Sequence, residues 1–269
     1  MISPAFIPEE RAVAWCRAIR EANRPYFAGG IFPHELAVFL AACETCGVDL
    51  VIESGRQDGY STSVLADYAE RTGTPAVSID RVEDPERDAA ARRRLAGRPV
   101  DLLDGPVERV LPDAIPADAR RVALLIDGPK DHIANRLLLA AAVELPIVLF
   151  GCHGWYQNAA AGRELERWFP DVALAEIEGH EFAAFRAWEQ ELVAGRLHGS
   201  RGLDRSTLAI SRVRSRERRW TRLLLHDAGR GALESARYVL HLLRGERSGM
   251  LPAAVIANDW ARRRGVSAT

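Results

Sequence analysis

The densest chemical signal in the chain is Val51-Ile-Glu-Ser-Gly-Arg-Gln-Asp-Gly-Tyr-Ser-Thr62. Gly55 and Gly59 stand between an apolar run and the start of a helix. Glycine permits a tight turn there and lets a ligand approach the backbone closely. Ser61 or Thr62 is placed to cap the helix that follows. A phosphate cradle is disfavoured, because no Gly-Lys-Ser/Thr is present and Glu53 at the strand end repels a pyrophosphate. An acidic residue at that point suits a cationic ligand instead, such as one carrying an ammonium and a sulfonium. Asp80 closes the next apolar run, where doubly wound folds place an acidic side chain on ribose hydroxyls. The same placement fits NAD, but the third glycine of the dinucleotide fingerprint is missing.

Further along, Asp127 and Lys130 follow an apolar strand, and His153 follows another. Lysine can remove a proton when burial or a neighbouring cation lowers its pKa. Histidine can do so near neutrality without such help. Cys43-Glu-Thr-Cys46 has the spacing of a redox or zinc pair. It has no second ligand pair and sits near a helix C-terminus, so small residues at a helix end is the preferred reading. Arg212, Arg214, Arg216, Arg218, Arg219 and Arg222 make the densest basic run. Interleaved serines and glutamates favour a solvated face or a contact between copies of the chain, and nucleic acid is not expected as a partner.

These residues need elements to carry them. Helices are expected over 8–23 and 34–46, the second ending at Gly47. Short apolar strands then alternate with helices: strands at 48–52, 76–79, 100–103, 121–126 and 146–150, helices at 61–72, 83–96, 107–115 and 132–143. That order implies a doubly wound, mostly parallel α/β sheet with helices on both faces. A helix at 159–169, a strand at 172–177, a helix at 181–193 and a strand at 207–213 complete seven strands. Helical patterning continues through Leu223–Leu225 and Leu233–Leu243. The expected organisation is N-terminal helices over 1–47, a ligand-binding α/β domain over 48–213 and a helical extension over 214–269.

The whole-chain properties exclude some classes. Its 269 residues, 48% hydrophobic and 27% charged, are ordinary for a soluble domain with a sizeable core. A net charge of −1 gives no global pull toward nucleic acid or an anionic membrane. No apolar run is long enough to span a bilayer and no signal peptide is visible. Four cysteines are too few for a disulfide scaffold, so a cytoplasmic protein is expected.

The segment Glu53-x-Gly-x-x-x-Gly-Tyr-Ser61 resembles motif I of class I S-adenosylmethionine-dependent methyltransferases, closest to the catechol O-methyltransferase-like group that acts on small molecules. Gly105-Pro-Val-Glu-Arg-Val-Leu-Pro112 is similar to that group's third motif, and Ile126-Asp-Gly-Pro-Lys-Asp131 to its fourth; the likeness spans roughly residues 34–155. The resemblance implies a Rossmann-like methyltransferase fold and a cofactor pocket of Glu53, Ser54, Gly55, Gly59, Tyr60, Ser61, Asp80, Arg81, Gly105, Glu108 and Asp127, with Glu108 near the adenine. It also implies a divalent metal on Asp127 and a base at Lys130.

The pattern departs from the group after the fifth strand. The catechol-type enzymes complete their metal site there with an Asp-Asn pair, whereas this chain has Phe150-Gly-Cys-His-Gly-Trp155. Mg²⁺ prefers oxygen ligands, so a Mg²⁺ site is not expected. Either Asp127, His132 and His153 bind a softer transition metal, or His153 is a metal-free general base. The metal-free reading is preferred. The expected activity is methyl transfer from S-adenosylmethionine to an oxygen of a small or medium metabolite, with Asp127, Lys130 and His153 catalytic. The rivals are an NAD- or sugar-nucleotide-dependent enzyme on the same fold and a noncatalytic methyltransferase-like subunit.

Overall fold

Strand pairing explains most of the architecture. The computed structural model describes residues 4–27, 30–154, 159–176, 179–194, 206–214 and 252–265. Two helices, α1 (Glu9–Ala22) and α2 (Pro33–Cys46), precede β1 (Leu50–Ser54). Then follow α3 (Tyr60–Thr72), β2 (Ala76–Asp80), α4 (Pro85–Leu95), β3 (Asp101–Asp104), α5 (Val107–Val110), β4 (Val122–Ile126), α6 (Asp131–Glu144) and β5 (Ile147–His153). After these come α7 (Ala159–Trp168), β6 (Ala173–Leu174), α8 (His180–Val193), β7 (Leu208–Arg212) and α9 (Ala253–Arg263). The expected helical patterning at 223–225 and 233–243 lies outside the described residues.

The seven strands form one sheet in the order β3-β2-β1-β4-β5-β7-β6. β7 runs antiparallel to both of its neighbours, and the pairs among β1 to β5 are parallel. The sheet is therefore doubly wound and mostly parallel. From β1 the chain moves outward to β2 and β3, then returns to place β4 on the other side of β1. That reversal opens a crevice at the carboxyl ends of β1 and β4, where open α/β sheets bind ligands.

Alternation along the strands supplies both faces. Val51, Ala123, Leu125 and Leu149 point into a cluster with α1, α2, α3 and α8. Ile52, Leu124, Ile126 and Phe150 point into a second cluster with α5, α6, α7 and α9. Strands buried on both faces read as continuous apolar runs, as these do. At about 1.5–3 kcal/mol per fully buried large side chain, the two clusters dominate stability.

Three local expectations are corrected. β5 runs on to His153, because its last residues pair with both β4 and β7. Gly151 makes this packing tight, since a Cβ there would stand 2.9 Å from Leu125 and 3.0 Å from Phe39. The helix expected over 107–115 is only the single turn α5, because Pro112 cannot donate the bond that would extend it. Neither Ser61 nor Thr62 caps α3: Gly59 is the N-cap, at φ +81°, without a side-chain bond.

Candidate active site at the carboxyl edge of the sheet

Register brings the chemical residues to one edge. Ser54 pairs with Ile79 and with Ile126, Asp80 with Asp104, and Ile126 with Cys152. Ser54, Asp80, Asp127 and His153 thus finish neighbouring strands side by side.

Gly55 turns the chain out of β1 at φ +98°. A Cβ there would stand 2.6 Å from the Gly128 nitrogen, so the turn and the β4–α6 loop can touch only because residue 55 is glycine. Both loops are tied to β1: Asp127 and Gly128 donate their amides to the Ser54 carbonyl at 2.8 and 2.9 Å. A Cβ on Gly59 would stand 3.3 Å from Ala91, which lets α4 pack close to the start of α3.

Asp80 is central to this turn. Its carboxylate accepts the amides of Arg56 at 2.7 Å, Gln57 at 3.0 Å and Val82 at 2.7 Å. Arg56, not singled out in the sequence, is wholly buried. It bonds to Asp88, to Asp104 at 3.2 Å and to the Ser78 carbonyl at 3.1 Å, joining β1, β2, β3 and α4. A buried arginine inside a polar-looking turn leaves no mark in the periodicity.

A cavity of about 340 Å³ opens over this edge, within the size range of small-molecule sites. Asp80, Glu108 and Asp127 bring carboxylates to its wall, and Ser54, Gly55 and Gly105 bring backbone. Arg81 also lines it and pairs with Glu83. One Glu108 carboxylate oxygen is buried without a hydrogen-bond partner, a cost that a ligand donor would relieve. Tyr60 and Ser61 lie in a smaller neighbouring recess that shares Asp127 with the cavity.

Glu53 lies elsewhere. It is fully buried under the turn, accepts hydroxyl bonds from Thr62 and from Ser78 at 2.6 Å, and does not line the cavity. Burial pushes its carboxyl up, against the hydroxyls of Ser61, Ser78 and Thr62, which favour its charged form. The Ser61 hydroxyl is near but makes no bond of ordinary geometry to the second oxygen, which is left without a partner.

Asp127, Lys130 and His153 form one cluster. A single Asp127 oxygen meets Lys130 Nζ and His153 Nδ1, and these two nitrogens stand 3.2 Å apart. Burial opposes ionisation of Asp127, but His153 and Lys130 outweigh it and hold the carboxyl well below the usual carboxylate range. The His153 side chain is 1% exposed, and that of Lys130 33%. His153 Nε2 is buried, unbonded and 3.8 Å from Glu35 Oε2.

Glu35 went unnoticed in the sequence. As the third residue of α2 it accepts the Phe32 amide at 3.0 Å. Its other oxygen accepts the amides of Thr207 and Leu208 and the Ser206 hydroxyl, fixing the start of β7. Burial disfavours its charge, but His153, His34 and the amides outweigh that and bring the carboxyl below its ordinary range. The helix-start position was a legible signal for the first bond only.

The metal implied by the resemblance does not fit. The oxygen of Asp127 facing the cluster already serves the nitrogens of Lys130 and His153, a poor donor setting for a hard cation that prefers oxygen ligands. The softer alternative of Asp127, His132 and His153 is not assembled. His132 turns to Glu164 at 2.7 Å, and Asn135 holds the same oxygen at 2.8 Å. Among the described residues no three His, Cys, Asp or Glu side chains converge as a ligand set.

No family model matches the chain, and no curated protein does. Solved structures of similar shape include the O-methyltransferase TomG from Streptomyces achromogenes in complex with SAM, 16% identical over 77% of this chain and 91% of that one, with a TM-score of 0.44. An O-methyltransferase from Bacillus cereus in complex with SAH is 14% identical over 77% and 93%, at 0.43. The N-terminal domain of human METTL16 in complex with SAH is 13% identical over 75% and 79%, at 0.43.

Proposed function

We propose that the chain is a methyltransferase that binds S-adenosylmethionine in the 340 Å³ cavity and methylates an oxygen of a small or medium metabolite. The observation that carries this reading is that Asp127 belongs both to the cavity wall and to the cluster with Lys130 and His153. A ligand site and a proton-handling group therefore share one residue. The donor set fits the cofactor: carboxylates of Asp80 and Glu108 suit hydroxyl and amine donors, and a carboxylate wall suits an ammonium and a sulfonium. Bound S-adenosylmethionine supplies an electrophilic methyl group.

The chain supplies position and proton removal. Lys130 is the member of the cluster open to solvent, so it is the group placed to receive the acceptor hydroxyl's proton. Asp127 stays ionised and holds the ammonium that results. His153, with Nε2 buried, supports Asp127 from behind.

An NAD-dependent reading is less well served, because Asp127 and Asp58 flank the start of α3, where a pyrophosphate would sit. Calorimetry separates the two. S-adenosylhomocysteine is expected to bind in the micromolar range, about −8 kcal/mol, and NAD⁺ and NADH are not expected to bind. Saturable NAD(H) binding with none of S-adenosylhomocysteine overturns the proposal. Tight S-adenosylhomocysteine binding without turnover on any acceptor favours a noncatalytic subunit.

A further inference from the structure

We infer that helix α9 positions the cavity wall at Gly105–Glu108, with the Trp260 indole as the residue that holds it. The inference rests on the cofactor reading above for its functional consequence, and on geometry for its mechanism.

α5 is a single turn, so its last carbonyls need partners from outside. The amide that would ordinarily bond the Glu108 carbonyl belongs to residue 112, which is proline and has no N–H. The next amide, of Asp113, bonds Val110 instead, at 3.1 Å. Trp260 Nε1 donates to the Glu108 carbonyl at 2.6 Å, and Arg263 Nη1 donates to the Arg109 carbonyl at 3.0 Å. Both donors come from α9, about 150 residues further along the chain.

The anchor sits in the core. Trp260 is fully buried and packs with Ala253, Ile256 and Ala257 in the same cluster as Val107 and Leu111. At the other end of this wall, Gly105 donates its amide to the Asp80 carbonyl at 2.8 Å. The segment that lines the cavity is thus pinned by β2 at its start and by α9 at its end. Between the pins lies Glu108, with its unpartnered buried oxygen. The Trp260 bond therefore sets where that carboxylate meets a ligand.

Trp260→Phe keeps an aromatic ring and deletes the donor; Arg263→Met deletes the second donor at the surface. Ile256→Val trims the same core without touching either bond. Trp260→Phe is expected to weaken S-adenosylhomocysteine about tenfold, the size of one hydrogen bond, and Arg263→Met less, with the acceptor KM unchanged. In ligand-free protein, hydrogen exchange of amides 107–111 is expected to quicken in both variants and not in Ile256→Val. Unchanged affinity and exchange in Trp260→Phe and Arg263→Met overturn the inference, as does an equal loss of affinity in Ile256→Val. Should the wild type fail to bind S-adenosylhomocysteine, the cofactor reading fails, and the exchange result alone decides whether α9 holds the wall.

Discussion

Glu35 and Glu53 are both wholly buried glutamates, yet their surroundings push them in opposite directions. Glu35 is depressed, so its stabilising contribution is complete above the ordinary glutamate value of about 4.3 and disappears as pH falls through the lower folded value. Glu53 is raised, so ionising it costs stability as pH climbs past the ordinary value toward the folded one. Glu35→Gln is therefore expected to destabilise by about 1.5–3 kcal/mol at pH 7, narrowing toward pH 3. Glu53→Gln should be near neutral or stabilising at pH 7, with its advantage also shrinking on acidification. Urea unfolding across pH 3–7 measures both, and matching losses at pH 7 would contradict the contrast. At the cluster, Lys130→Ala should lower turnover by about 10²–10⁴ with cofactor affinity little changed. Activity is expected to survive exhaustive EDTA treatment and dialysis. Restoration of a lost activity by Mg²⁺ alone would refute the reading of Asp127 as a partner of Lys130 and His153.

Among the elements, the turn leaving β1 carries the sharpest constraint. Gly55 and Gly73 both adopt positive φ, +98° and +73°, but only Gly55 has backbone within 4 Å of where a Cβ would be. Gly73→Ala should cost about 1 kcal/mol, the strain of the left-handed conformation alone. Gly55→Ala must also push the Gly128 backbone away, so a loss above about 2 kcal/mol is expected together with weakened S-adenosylhomocysteine binding. Thermal unfolding and calorimetry on the two variants check this, and equal stability losses would show that the close approach is unimportant. Asp80 works on the same element: with three backbone amides on its carboxylate, it shapes the turn as well as facing the cavity.

At the scale of the whole molecule, a basic run begins at the end of β7. Arg212 stacks over Phe6 at 4.1 Å, and Arg214 pairs with Asp171; the other four arginines lie outside the described residues. Two of the six charges are thus engaged by the protein itself, and the chain as a whole carries −1. No appreciable duplex DNA binding is expected at physiological salt. A gel shift that weakens steeply as salt is added would reverse this, because it marks phosphate neutralisation with counterion release. Among the described residues no helix is long and apolar enough to cross a membrane.

By itself the sequence determined the alternation of strand and helix, because doubly buried strands are short apolar runs and the intervening helices carry start and stop residues. It also placed Asp80, Asp127 and His153 at strand ends, since in a parallel sheet every such end faces the same edge. Only the tertiary structure decided what those residues touch. Glu53 was expected to face a ligand and lies under the turn, because Thr62 and Ser78 come from α3 and β2 to meet it. His153 lies within a strand, since the pairing that extends β5 comes partly from β7, more than fifty residues on. Glu35 and Trp260 gained their roles from partners about 170 and 150 residues away. Contacts at that separation follow from how layers pack, and no local pattern of residues records them.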